Sequence, residues 1–134
     1  MNNMSTIAQY KVNDHILNVE MVPIDVLINI PVIDKKGRTL GRAILTKQIE
    51  ANAGNGTVKE IVVLTDIIVY DPIDRGRGVG DELMGFITNS GLFDVVVTGI
   101  NTEAGRALCL KHGFEYEVVQ AEKYLVFRKG KEDE

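Results

Sequence analysis

A single cysteine, Cys109, stands in a chain of 134 residues. One thiol excludes a disulfide framework and a four-thiolate zinc site, and no metal site is expected. Such sparing cysteine use fits a reducing, cytoplasmic setting. A long basic run is also missing. Fifteen Lys and Arg against 19 Asp and Glu leave a formal net charge of −4. Proteins that coat a phosphate backbone are usually basic, so general nucleic-acid binding is disfavoured. No apolar stretch approaches the ~20 residues of a helical membrane span. The opening Met1-Asn2-Asn3-Met4-Ser5 lacks the basic-then-apolar pattern of a signal peptide. What remains is ordinary for a globular protein: 45% hydrophobic and 25% charged residues. The length fits one domain spanning 1–134, with 1–15 loosely ordered or holding one short element and 129–134 loosely ordered.

The hydrophobic pattern has period two at first. Ile16 to Val22 is β-rich and stops at Pro23. Ile24, Val26, Ile28, Ile30 and Val32 then alternate along a strand in which Pro31 argues for an edge or a bulge. Asp34-Lys35-Lys36-Gly37 is a turn. Thr39 to Ile49 and Val58 to Tyr70 read as two more strands around an Ala51–Gly56 loop. The short connections predict an antiparallel meander.

The period then changes. Val79, Leu83, Phe86 and Ile87 fall on one face of a helix that Gly91 ends. Phe93 to Ile100 is a short apolar run of the kind that lies buried in a sheet. Asn101 or Thr102 can cap a second helix that Gly113 ends. Phe114–Val119 and Tyr124–Arg128 close the chain as an antiparallel pair. The order β-β-β-α-β-α-β-β, with one further strand in front, predicts a mixed sheet in an α/β (α+β) domain. Its central strand-helix-strand unit should be parallel.

The stretch that carries chemistry is Asp71-Pro72-Ile73-Asp74-Arg75-Gly76-Arg77-Gly78-Val79-Gly80. It joins a strand to an amphipathic helix. The first turn of a helix leaves N–H groups unpaired, and these donors with the positive end of the helix dipole bind phosphate. Arg75 and Arg77 add positive charge; the plainer reading of both is a solvated loop charge. A triphosphatase loop would need Gly-Lys-Ser/Thr, which is absent. A dinucleotide fingerprint would need Gly-x-Gly-x-x-Gly and an acid on the next strand. Here the spacing is Gly-x-Gly-x-Gly, and the next strand runs out as Thr98-Gly99-Ile100-Asn101 without an acid.

The pattern resembles the acyl-CoA diphosphate loop of the GNAT superfamily of N-acetyltransferases. A second block, Asn101 to Phe114 with its terminal Gly113-Phe114, looks like that family's fourth helix. The resemblance runs over roughly residues 24 to 128 and implies a mixed, mainly antiparallel GNAT-like sheet with a central parallel β-α-β unit. It implies acetyl-CoA as co-substrate, lying between Thr65–Tyr70 and Val95–Ile100. The pantetheine would pair with backbone at Ile68, Val69 and Tyr70, and with Asn101. The diphosphate would sit on the amides of Arg75, Gly76, Arg77, Gly78, Val79 and Gly80.

The reaction so implied is transfer of an acyl group, most simply acetyl, to an amine by direct attack in a ternary complex. The amine must lose a proton. Asp66 interrupts an apolar run and is the candidate base. Alternation places it on the face of Leu64, Ile68 and Tyr70. Glu60 is a weaker candidate. Many members protonate the leaving thiolate with a Tyr on the fourth helix; that position is Cys109 here, whose plainer reading is a small buried hydrophobe. The family also places two helices between its first two strands, where this chain shows no helical period before residue 38. The acceptor-side helices are therefore expected to be reduced or missing. Such an open side suits a small amine or a protein acceptor, or a homodimer partner that completes the site. The rival reading is a non-catalytic relative that binds CoA or a protein partner.

Overall fold

Alternating β-branched residues build most of the molecule. The computed structural model describes residues 5–22, 27–52, 57–70, 78–119 and 121–129. The strands are β1 (Ser5–Val12), β2 (His15–Val22), β3 (Leu27–Ile33), β4 (Thr39–Asn52), β5 (Thr57–Val69), β6 (Val95–Thr98), β7 (Glu115–Val119) and β8 (Glu122–Arg128). Two helices, α1 (Val79–Asn89) and α2 (Glu103–Lys111), follow β5 and β6. All eight strands form one sheet in the order β1-β2-β3-β4-β5-β6-β8-β7. Only β5 and β6 pair in parallel; the other neighbours are antiparallel. This is the mixed sheet with a central parallel β-α-β unit that the change of period predicts.

One expectation needs correction and another is narrowed. Residues 5–12 are not loose: they form β1, which pairs with β2 through a two-residue turn in which Asn13 takes φ 54°. Asn tolerates that left-handed conformation. The alternation of Ala8, Tyr10 and Val12 with Gln9 and Lys11 is the period-two signal for this strand. Pro31 is not on an edge, because β3 lies between β2 and β4, but an irregularity of the kind offered as the alternative lies beside it, where the β3–β4 register shifts between Val32 and Ile33. The β2–β3 register runs Ile16↔Ile33 and Leu17↔Val32, then resumes only at Glu20↔Asn29. Pro31 has no N–H to give, and the ladder is interrupted opposite it. At the other end, the Lys129 amide bonds the Asp94 carbonyl at 2.8 Å, which ties down the first residue of the charged tail.

One face of the sheet carries the core. Leu17, Ile28, Ile30, Val32, Ala43, Leu45 and Leu64 are fully buried there with Val79, Leu83, Met84 and Ile87 of α1. Fully burying one such aliphatic side chain contributes ~1.5–3 kcal/mol. The predicted face of α1 is correct, with Met84 added to it. Tyr10 extends the packing by meeting Phe86 edge-on, ring centroids 4.9 Å apart. Four residues, 23–26, separate β2 from β3, so the two helices expected of the family at that point have no room.

The contact between α1 and the sheet is tightest at Gly41 of β4. A Cβ there would stand 2.5 Å from the Ile68 carbonyl oxygen and 3.1 Å from Val79 Cγ1. Gly41→Ala should therefore lower stability by ~1–3 kcal/mol, the usual cost of overpacking. A urea midpoint equal to that of the wild type would contradict this close approach.

Candidate functional site

The site begins with a break in the β5 ladder. β4 and β5 pair Ile44↔Asp66 and then Leu45↔Leu64, so Thr65 has no partner and forms a bulge. Its hydroxyl donates to the Ile44 carbonyl at 2.9 Å. A bulge adds one residue and bends the strand. On the other side, β5 and β6 share only the pairs Val62↔Val96 and Val63↔Val97. Beyond Val63 the two strands diverge. The last link across the divergence is a side chain: buried Thr98 donates its hydroxyl to the Leu64 carbonyl at 2.8 Å and accepts from the Ile100 amide at 3.3 Å.

The divergence opens a cleft of about 900 Å³. Its walls are the β5 segment from Val63 to Val69, the β6 exit at Gly99–Asn101, the start of α1 at Gly78 and Gly80, and the start of α2. Asp66, Val69, Gly78, Gly80 and Asn101 line this one cleft, whereas Ile68 and Tyr70 do not. Val79 does not point into it; its side chain is 1% exposed and seals α1 to the core. Arg75, Gly76 and Arg77 lie outside the described residues. Tyr70 is half exposed beneath the Arg42 guanidinium, 5.5 Å from ring centroid to Cζ.

The bulge corrects the alternation. Leu64, Ile67 and Val69 pack toward the core, whereas Asp66 is exposed. Asp66 therefore shares a face with Ile68 and Tyr70 but not with Leu64. Cys109 is also placed differently from an acid at the cleft. It is 0% exposed within the core cluster, is absent from the cleft walls, and burial pushes its thiol up to about 11.

The start of α1 is built to leave donors unused. Gly78 occupies the N-cap position with φ 82° and ψ 18°, and among the described residues no side chain caps the helix. Only glycine takes that conformation freely. A Cβ at Gly78 would meet nothing within 4 Å, so the position faces open space. α2 contrasts with this, since Thr102 caps it by accepting from the Gly105 amide at 3.1 Å.

The first turn of α1 carries two carboxylates, Asp81 and Glu82. They suit the helix dipole but oppose an anionic ligand. The structure pairs both. Asp81 meets Lys111 Nζ at 2.8 Å and His112 Nε2 at 2.7 Å. The Lys111 ammonium, with His112 after it, holds the Asp81 carboxyl below its ordinary value. Glu82 meets His15 Nδ1 at 2.8 Å. These partners come from two stretches of sequence far from α1, at His15 and at Lys111–His112, and for that reason no local motif announced them. Among the described residues no cluster of metal-ligating side chains occurs, and no helix is long and apolar enough to cross a membrane.

Solved structures share the fold. The chain superposes on a protein in the KacTA–DNA complex with a TM-score of 0.60 at 18% identity, covering 77% of this chain and 68% of that one. The chain has the GNAT fold. A mutant of the toxin AtaT, bound to the C-terminus of its antitoxin AtaR and to acetyl-CoA, gives 0.59 at 18% identity over 79% and 70% of the two chains. A mutant of the spermidine N-acetyltransferase SpeG from Vibrio cholerae gives 0.53 at 16% identity over 82% and 69%. No family model and no curated protein matches the sequence.

The Thr98 hydroxyl should be the support of the cleft. Thr98→Val keeps the shape but leaves the Leu64 carbonyl unpaired where the strands part. The expected loss is ~1–3 kcal/mol, with faster amide exchange along 64–69. A Thr98→Val protein with wild-type stability and exchange would show that the hydroxyl carries no load.

Proposed function

We propose that the chain is an acyl-CoA-dependent N-acyltransferase that takes acetyl-CoA as co-substrate. The observation that carries this reading is the cleft where β5 and β6 diverge, with an uncapped helix N-terminus at its rim. An acetyl-CoA complex among the structures of the same fold supports it. The thioester supplies the activated acyl group. The amides of the first turn of α1, from Gly78, receive the diphosphate, joined by the Arg75–Arg77 segment. The β5 backbone beyond Val63 has β4 on one side and the cleft on the other, so its free edge can pair with the pantetheine amides near Val69. Asn101 stands across from it. Its own carbonyl accepts from Arg106 Nη1 at 2.6 Å, which steadies this corner.

Asp66 is the proposed base. It lies on the cleft wall, exposed to solvent, one residue beyond the bulge. As a carboxylate it takes a proton from the acceptor ammonium and releases a neutral amine for attack on the thioester carbonyl carbon; the C–N bond forms, the C–S bond breaks, CoA leaves as the thiolate, and the proton lost by the attacking nitrogen reaches the sulfur through solvent in the open cleft. Cys109 has no part in this scheme, because its burial keeps it from a leaving thiolate. The acceptor is a small amine or an amine on a protein. The four-residue link between β2 and β3 leaves the acceptor side open to either, or to a second copy of the chain.

The buried Cys109 and the missing helices favour one other reading, a protein that binds CoA without turning it over. Two measurements separate them. Calorimetry with acetyl-CoA should show saturable micromolar binding that Gly78→Glu abolishes while the circular dichroism spectrum persists. Thiol release in the presence of primary amines and peptide amines should then fall about 10²–10⁴-fold in Asp66→Asn, with CoA affinity retained. Binding without thiol release from any amine would support the second reading. No binding at millimolar acetyl-CoA would end both.

A further inference from the structure

Both acidic residues at the α1 N-terminus are held by histidines, and the two histidines come from opposite sides. His15 follows the β1–β2 turn, its side chain is 23% exposed, and its Nδ1 bonds both Glu82 oxygens at 3.0 and 2.8 Å. His112 is the C-cap of α2, its side chain is 15% exposed, and its Nε2 bonds Asp81 at 2.7 Å. Gly85 lets that ring lie against α1: a Cβ there would stand 3.4 Å from His112 Cε1. We propose that His15 and His112 are positioning residues for the CoA diphosphate, which bind it indirectly by cancelling the charge of Glu82 and Asp81. This inference rests on the acyl-CoA reading above.

The charge count gives the direction. With both imidazoles protonated, His15, His112 and Lys111 carry +3 against −2 on Asp81 and Glu82, a sum of +1. With both neutral the sum is −1. A diphosphate therefore meets an attractive helix start at low pH and a repulsive one at high pH. An imidazole ordinarily changes charge between pH 5 and 8. Two further groups lie nearby: Asp14 beside His15 pairs with Lys35 at 3.4 Å, and Tyr10 lines the same groove along α1 as Glu82. Asp71, Asp74, Arg75 and Arg77 precede Gly78 outside the described residues, and their side-chain classes keep one charge over this range. By linkage, the bound dianion favours the protonated imidazoles, so binding near neutral pH takes up protons.

The test is calorimetric titration with 3′-dephospho-CoA in buffers of different ionisation enthalpy. This probe lacks the 3′-phosphate, a monoester whose second proton would leave at about pH 6 and confuse the count. The wild type should take up protons at pH 7. Its affinity should fall about tenfold from pH 5.5 to pH 8.5 at low ionic strength, by Coulomb's law with screening. His112→Gln and His15→Gln should each bind at pH 5.5 more weakly than the wild type, with fewer protons taken up and a flatter profile. The wild-type proton count decides the matter even if a variant folds poorly. Saturable binding with no proton uptake and no pH dependence would overturn this inference and leave the acyl-CoA reading intact. No binding at any pH would overturn both.

Discussion

Everything at the candidate site depends on β5 and β6 parting company after two paired rungs. A parallel pair that continued would satisfy its own backbone and leave no cleft. Parting leaves backbone donors and acceptors without a ladder, and unpaired buried groups are costly. The chain meets that cost with side chains of modest size. Thr98 closes the fork from the β6 side and Thr65 secures the bulge from the β5 side. Both are β-branched residues that suit a strand by propensity and carry a hydroxyl for the place where the strand stops being regular.

Much of the architecture is legible in sequence because it is periodic. The change from period two to period 3.6 after Tyr70 locates α1, and Thr102 announces the start of α2. The glycine run before Val79 marks where that helix starts. The resemblance to the GNAT loop, made from Arg75 to Gly80, gives the fold. The bulge is not legible. Leu64-Thr65-Asp66 reads as plain alternation, and only the β4 partner reveals that Thr65 is the extra residue. Since one residue reverses the face of a strand, Asp66 and Leu64 look alike in sequence and point opposite ways in space. β1 is legible only weakly, since Ala8, Tyr10 and Val12 are three positions and the burial that justifies them comes from Phe86, far along the chain.

Charge compensation is the least local property of the molecule. Asp81 and Glu82 read in sequence as residues that weaken a phosphate site. Their partners are 67 residues upstream for Glu82 and 31 residues downstream, at His112, for Asp81. The sheet brings the first through its hairpin, and α2 brings the second through its last turn. The β1–β2 hairpin is therefore joined to α1 by an imidazole at its first turn as well as by the ring contact of Tyr10 with Phe86.

Gly41 has a mechanical consequence. The absent side chain there sets the height at which Val79 rides over the sheet, with the Ile68 carbonyl directly beneath. Val79 is the first residue of α1 and follows the uncapped Gly78. The missing methyl thus acts as a shim: it sets how far the start of α1 stands above the β5 backbone. A bulkier residue at this position, remote from any ligand, would raise one jaw of the cleft relative to the other and alter the spacing between them.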